Sequence, residues 1–90
     1  MNSLLKILVT GKADEDLSKM DSSLRSFFLK HFEKLEIMPP RRHLRFGFPF
    51  NVENVTKQAR FVYEVEADAI YVLRCFATHK EYEQWYKSFK

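Results

Sequence analysis

Residues 59–76 read ARFVYEVEADAIYVLRCF, and this stretch decides the fold class. It contains two mostly apolar runs, Ala59–Val65 and Ile70–Phe76, on either side of a short acidic segment. Runs rich in Val, Ile, Tyr and Phe that flank a tight polar turn are typical of a β-hairpin. The second run is apolar on both faces, which indicates a strand at the centre of a sheet.

The residues before the hairpin predict a strand and two helices. Leu4–Val9 is apolar except for Lys6, so we expect a first strand that is central or buried on both faces, ended by Gly11. A short helix over Asp14–Met20 precedes a longer helix that Asp21 caps. Apolar residues recur along the longer helix at its 3.6-residue period and predict its core face. They are Leu24, Phe27, Phe28, Phe32 and Leu35.

Prolines and a capping motif delimit the remaining elements. Pro39-Pro40 ends the long helix, a short extended piece is expected around Leu44, and a strand over about 50–55 precedes the hairpin. Thr78 and Glu81 have the spacing of a capping box and open a final helix with an aromatic stripe. The order is β-α-α-β-β-β-α. We predict one α+β domain, residues 1–90: a small, mostly antiparallel sheet of about four strands, with the N-terminal helix pair on one face and a C-terminal helix.

Composition excludes several classes of protein. Hydrophobic residues make up 46% of the 90 residues, so disorder is not expected. The single Cys cannot form an internal disulfide, and the three His have no zinc-binding spacing, so we expect neither metal nor cofactor. No apolar run has the length of a membrane span, and the first residues lack a signal-peptide pattern. These features predict a cytoplasmic protein without a membrane partner.

Positive charge is concentrated in the middle of the chain. The net charge is +3, whereas residues 39–62 alone contain five basic residues against one acidic residue, an excess of four. Four of the five are Arg, whose planar fork suits phosphate. A local basic zone is typical of a protein that binds a polyanion or an acidic partner. A solvated basic surface is the alternative.

The length of the hairpin loop decides whether Arg60 and Arg74 meet. A loop with an odd number of residues, such as the three residues 66–68, places them directly opposite, and like charges held together in a sheet usually have an anion between them. A loop with an even number of residues places them on opposite faces. We favour the three-residue loop because it collects apolar residues on one face. That face would carry Tyr63, Val65, Tyr71, Leu73 and Cys75.

The hairpin resembles the RelE/ParE superfamily of toxins from type II toxin–antitoxin pairs. The resemblance is carried by Gln58–Val65, the acidic turn and Ile70–Arg74, and it extends to the helix pair and the basic Leu44-Arg45 piece. The aromatic tail, residues 78–86, resembles a ParE-like branch. The resemblance implies a RelE/ParE-like fold and a cognate antitoxin, acidic and partly helical, that covers the basic face.

Two activities follow from the resemblance. RelE-like members cleave messenger RNA, usually on the ribosome, whereas ParE-like members inhibit DNA gyrase without chemistry of their own. We predict an mRNA endoribonuclease that binds RNA on a basic sheet face and uses no metal. The alternatives are a gyrase inhibitor and a small basic nucleic-acid-binding module. The strand that is Arg-rich in many members carries Asn51 and Glu53 here, which favours the gyrase alternative.

The resemblance also implies roles for individual residues. Arg60 matches the family's phosphate-binding strand arginine, and Arg74 is a candidate second clamp. His79 falls where several members carry a catalytic histidine, which can exchange protons near neutral pH, and Glu53 is a candidate base. The other candidates would bind the RNA. They are Arg41, Arg42, Arg45 and Lys57, with Lys80 and Tyr82 as weaker candidates.

Overall fold

The computed structural model describes residues 6–37 and 50–88, which form four strands and three helices. The predicted order β-α-α-β-β-β-α and the α+β class are confirmed. The extended piece expected around Leu44 lies outside the described residues. The elements are β1 (Lys6–Val9), α1 (Gly11–Ser18), α2 (Ser22–Ile37), β2 (Asn51–Asn54), β3 (Arg60–Glu66), β4 (Ala69–Phe76) and α3 (His79–Lys87).

The four strands form one mixed sheet in the order β1-β4-β3-β2. The hairpin strands β3 and β4 are antiparallel, as are β2 and β3, and β4 occupies the predicted central position with β1 parallel on its other side. The prediction that the first strand is central or buried on both faces was wrong. β1 lies at the edge of the sheet. Ile7 packs against the core, whereas Leu8 is 42% and Val9 37% exposed.

Helices cover both faces of the sheet. α1 and α2 pack on one face, and α3 packs on the other. The larger core lies under the helix pair, where aromatic rings of α2 meet Phe61 of β3. The smaller core lies under α3 and consists of Val62, Phe76, Tyr82 and Tyr86. The protein is therefore a three-layer structure with two cores that share the central strands.

Polar side chains begin the helices as the sequence predicts, with small differences. The Asp21 carboxylate accepts the Leu24 N–H at 2.8 Å and caps α2. Thr10 caps α1 in the same way, so Gly11 does not terminate a strand but opens the helix. In α2 the predicted stripe holds for Phe28, Phe32 and Leu35, which are buried. Phe27 is an exception, because its side chain is 49% exposed.

The register of the β3–β4 hairpin differs from the prediction. Glu66 pairs with Ala69, so the loop has two residues, and Ala67 has a positive φ of 53°. A β-bulge then leaves Leu73 without a partner residue on β3, and beyond it Val62 pairs with Arg74. With the two-residue loop alone, Arg74 would lie on the sheet face opposite that of Arg60. The extra residue in the bulge returns Arg74 to the face that Arg60 occupies. Arg60 and Arg74 therefore share the face under α3, but they do not lie opposite each other.

The two-residue loop also changes the membership of the larger core. Tyr63 pairs with Val72 rather than with a residue of the predicted set, and Ile70 and Val72 are fully buried beneath the helix pair. Leu73 packs instead against the smaller core, and Tyr71 is partly exposed. Only a tertiary contact distinguishes these arrangements, because both faces of β4 are apolar in sequence.

Candidate functional site

The β2–β3 turn is a rigid support for the residues around it. The Thr56 hydroxyl accepts the N–H groups of Gln58 and Ala59 at 3.2 and 2.9 Å. The Ala59 carbonyl accepts the Val55 N–H at 2.8 Å and the Thr56 N–H at 3.2 Å. These bonds satisfy the turn's own polar groups. Its backbone is therefore held in one conformation next to the start of α3.

The side chain of Arg60 contacts both this turn and α3. Its Nη2 donates to the Lys57 carbonyl at 3.0 Å and its Nε to the Gln58 carbonyl at 3.4 Å. Its guanidinium carbon lies 5.4 Å from the ring centroid of Tyr82, a cation–π distance. Arg60 is only 7% exposed. Arg60 thus links the turn to α3 and carries a buried positive charge, and the phosphate clamp that the sequence predicts there stays a prediction.

His79 is the first residue of α3, and its imidazole is partnered by a carboxylate. His79 Nε2 lies 3.4 Å from Glu83 Oε2, one helical turn along. The His79 ring centroid is 6.1 Å from that of Tyr82, which rests on Arg60. The His79 side chain remains 46% exposed. An imidazole held on one side and open on the other can exchange a proton with a bound molecule.

We call the group of side chains where the β2–β3 turn meets α3 the turn–helix junction. It includes two exposed lysines, Lys57 on the turn and Lys80 on the helix. The N-terminus of α3 adds the positive end of the helix dipole. The three cationic side chains of the junction outnumber the Glu83 carboxylate, and Glu81 adds a second carboxylate to the first turn of α3. The junction consists of Lys57, Gln58, Arg60, His79, Lys80 and Glu83.

Arg74 lies away from the turn–helix junction and is already paired. Its Nε and Nη2 donate to the two carboxylate oxygens of Asp16 at 2.8 and 3.2 Å. The Cys75 N–H donates to the same carboxylate at 3.0 Å. The hydrogen bond to Asp16 raises the pKa of Arg74 above its ordinary value, against the effect of burial. Because its charge is neutralised by Asp16, Arg74 is not available as a second phosphate clamp.

Asp16→Ala should lower the free energy of unfolding by about 2–3 kcal/mol. Breaking a buried ion pair costs about 3–5 kcal/mol, but here Arg74 is 29% exposed and water compensates part of the loss. Urea denaturation measures the change. Asp14→Ala removes an exposed carboxylate of the same helix and should cost at most about 1 kcal/mol. Equal effects of the two variants would contradict a structural role for the pair.

Glu53 is separated from Arg60 by the sheet. It pairs with Phe61, so its side chain faces α2, where Oε2 lies 3.9 Å from His31 Nδ1. Burial is the main cause that lowers the pKa of His31. Burial and the Glu53 charge raise the pKa of Tyr63 to about 12. Glu53 therefore belongs to the helix-pair face, and the structure does not bring it to His79 as a base.

The remaining predicted RNA contacts divide into three groups. Arg41, Arg42 and Arg45 lie outside the described residues. Lys57 and Lys80 are exposed at the turn–helix junction. Tyr82 is 1% exposed, so its ring supports Arg60 and His79 and does not present a face to RNA. The predicted open basic sheet face is absent from the described strands, because α3 covers the face that carries Arg60.

Two residues of the junction were missed by sequence reasoning. Glu83 could have been found, since residues four apart on a helix lie side by side and His79 precedes it by four. Gln58 could not, because its side chain meets α3 only through the folded turn. Within residues 6–37 and 50–88, no three His, Cys, Asp or Glu side chains group as metal ligands. None of the described helices is long and apolar enough to cross a membrane.

The described chain is thus a small α+β protein with a histidine–carboxylate pair beside exposed lysines. No protein-family model matches its sequence, and no curated protein matches it. Solved structures do match. The RelBE2 toxin–antitoxin complex from Mycobacterium tuberculosis aligns over 84% of this chain and 93% of that chain, with 18% identity and a TM-score of 0.72.

Two further structures extend the comparison. A mutant of the E. coli toxin RelE in the free state aligns over 91% of this chain and 90% of that chain, with 16% identity and a TM-score of 0.74. A YoeB/ParE toxin from Agrobacterium tumefaciens aligns over 79% of this chain and 95% of that chain, with 17% identity and a TM-score of 0.64. The chain therefore has the fold of the RelE-type toxins.

Proposed function

We propose that this protein is the toxin of a toxin–antitoxin pair and cleaves messenger RNA in the cytoplasm. One observation supports the cleavage most directly. His79, held by Glu83, is exposed at the end of α3 that Gln58 joins to the β2–β3 turn, and the residues next to His79 and Gln58 in sequence, Lys80 and Lys57, are exposed cations on a fold shared with RelE-type toxins. A proton-exchanging group with cations nearby is the arrangement that cleavage of an RNA phosphodiester needs.

The proposed reaction uses the RNA's own 2′-hydroxyl as nucleophile. Nε2 of His79 faces Glu83 at 3.4 Å, so the carboxylate favours the tautomer whose Nδ1 lone pair is open to substrate. Nδ1 takes the 2′-hydroxyl proton, the oxygen bonds to the adjacent phosphorus, and the bond from phosphorus to the 5′ oxygen breaks. The leaving oxygen takes a proton from solvent. The products are a 2′,3′-cyclic phosphate and a 5′-hydroxyl.

Cations of the turn–helix junction stabilise the charge that develops on the phosphate. The two exposed lysines contact phosphate oxygens directly. Arg60 contributes from a buried position, where a charge acts through a lower dielectric than in water. It keeps its bonds to the turn carbonyls while it does so. The site thus needs no movement of Arg60 when RNA binds.

The proposed partner in the resting cell is an acidic, partly helical antitoxin. RelBE complexes show antitoxins bound to toxins of this fold. The chain is basic, and it exposes large apolar side chains on α2 and β1. Exposed apolar surface of this kind is typical of interaction sites. These side chains are Leu8, Val9, Phe27, Leu29 and Ile37. Harmless expression of the chain alone, with nothing co-purifying from its native host, would contradict this partner.

Induced expression in a bacterial host tests the proposed function. Incorporation of labelled amino acid and labelled thymidine is followed in parallel, and purified protein is incubated with an mRNA, with and without ribosomes. We expect translation to stop first and the RNA to acquire cyclic-phosphate ends. A first fall in DNA synthesis with intact RNA would instead indicate gyrase inhibition. Binding to RNA without either effect would leave a nucleic-acid-binding module.

A further inference from the structure

We infer that Gln58 is a positioning residue, which holds the first turn of α3, and with it the His79 imidazole, against the β2–β3 turn. The Gln58 side-chain oxygen accepts the His79 N–H at 3.3 Å, although 21 residues separate the two in sequence. This inference rests on the proposed RNA cleavage for its kinetic consequence. The hydrogen bond itself can be tested without RNA.

The bond lies where α3 needs a partner for its backbone. The first N–H groups of a helix have no acceptor within the helix. Thr78 accepts the Glu81 N–H at 3.1 Å, and the Glu81 side chain accepts the Ala77 N–H at 3.1 Å. These two caps come from within residues 77–81. The His79 N–H is bonded across the fold, so its bond to Gln58 ties the helix end to the turn.

The turn gives Gln58 a fixed position from which to act. The Gln58 N–H donates to the Thr56 hydroxyl at 3.2 Å, and its carbonyl accepts Arg60 Nε at 3.4 Å. Arg60 in turn lies over Tyr82, whose ring adjoins His79. The His79 backbone is therefore held by Gln58 and its ring is supported from Arg60 through Tyr82. A displacement of about 1 Å at a reacting group can lower a rate up to about 100-fold.

Three variants separate positioning from general structure. Gln58→Leu removes the acceptor at similar volume, Gln58→Glu keeps an acceptor oxygen, and Gln84→Leu changes an exposed glutamine elsewhere on α3. Amide hydrogen exchange at His79 and the nuclear Overhauser contact between the His79 and Tyr82 rings are measured by NMR. Steady-state cleavage of a short RNA gives kcat and KM.

We expect Gln58→Leu to accelerate His79 amide exchange and lower kcat, each about tenfold, with KM within about twofold. Gln58→Glu should restore slow exchange and most of kcat while raising KM, because its carboxylate repels phosphate. Gln84→Leu should change none of these. An unchanged exchange rate at the His79 amide in Gln58→Leu would contradict the hydrogen bond between Gln58 and His79. A loss of kcat in Gln58→Leu that Gln58→Glu does not restore would contradict the positioning role of Gln58. If the unaltered protein cuts no RNA, the proposed function fails, and the exchange rates and ring contact still decide whether Gln58 holds His79.

Discussion

His79→Gln should lower the single-turnover rate of RNA cleavage by about 10²–10⁴-fold. Removing a general acid or base has effects of this size, and glutamine cannot take a proton at neutral pH. The affinity for RNA should change little, because the lysines and the buried Arg60 charge remain. His79 is exposed at the start of α3, so the free energy of unfolding should change by no more than about 0.5 kcal/mol.

His31→Gln is the matched control for this experiment. His31 is also paired with a carboxylate, Glu53 at 3.9 Å, but on the sheet face that carries the helix pair. Burial lowers the pKa of His31, so at neutral pH it is uncharged like the glutamine that replaces it. We expect wild-type cleavage rates. If His31→Gln slows cleavage as much as His79→Gln, the turn–helix junction is not the site of the reaction.

The parts of the fold that were predicted correctly rest on local physics. Asp21 caps α2 and Thr78 caps α3 because a side-chain oxygen reaches an N–H three residues ahead, which depends on few neighbours. The central position of β4 follows from its two apolar faces, which need cover on both sides. These features are decided within a few residues, so sequence spacing predicts them.

The features that were wrong depend on contacts across the sheet. Two compensating irregularities, a two-residue loop and a bulge at Leu73, set the position of Arg74 relative to Arg60. The sequence of β4 accepts either register, since both of its faces are apolar. Likewise, the charge of Arg74 suggested a phosphate clamp until the fold placed the Asp16 carboxylate beside it. A basic residue indicates a binding site only when no nearby carboxylate neutralises it.

The candidate site was predicted in part for the same reason. His79 was found because the family resemblance extends to it, and Lys57 because it lies in the basic middle of the chain. Gln58 has neither property in sequence. It joins the site through one long-range hydrogen bond to His79. The bond exists because the β2–β3 turn ends beside α3, which no local pattern predicts.

Neighbouring phenylalanines of α2 offer the sharpest test of the core. Phe28→Ala should lower the free energy of unfolding by about 3–5 kcal/mol, the usual cost of truncating a buried phenylalanine. Phe28 is 0% exposed, and its ring lies 6.4 and 6.3 Å from those of Phe32 and Phe61. Phe27→Ala should cost less than about 1 kcal/mol, because its side chain is 49% exposed. The midpoint of urea denaturation measures both changes.

The apolar stripe in the sequence assigns both Phe27 and Phe28 to the core, whereas the structure buries only Phe28. The two variants therefore test whether burial in the fold, and not membership of the stripe, determines the loss of stability. Adjacent residues on a helix point about 100° apart, and only one of them can face the centre of the sheet. If Phe28→Ala leaves too little folded protein to measure, Phe28→Leu removes fewer atoms and should have an intermediate effect. Equal losses at positions 27 and 28 would contradict the placement of α2. A large loss at Phe28 alone would confirm that this ring joins the helix to β3.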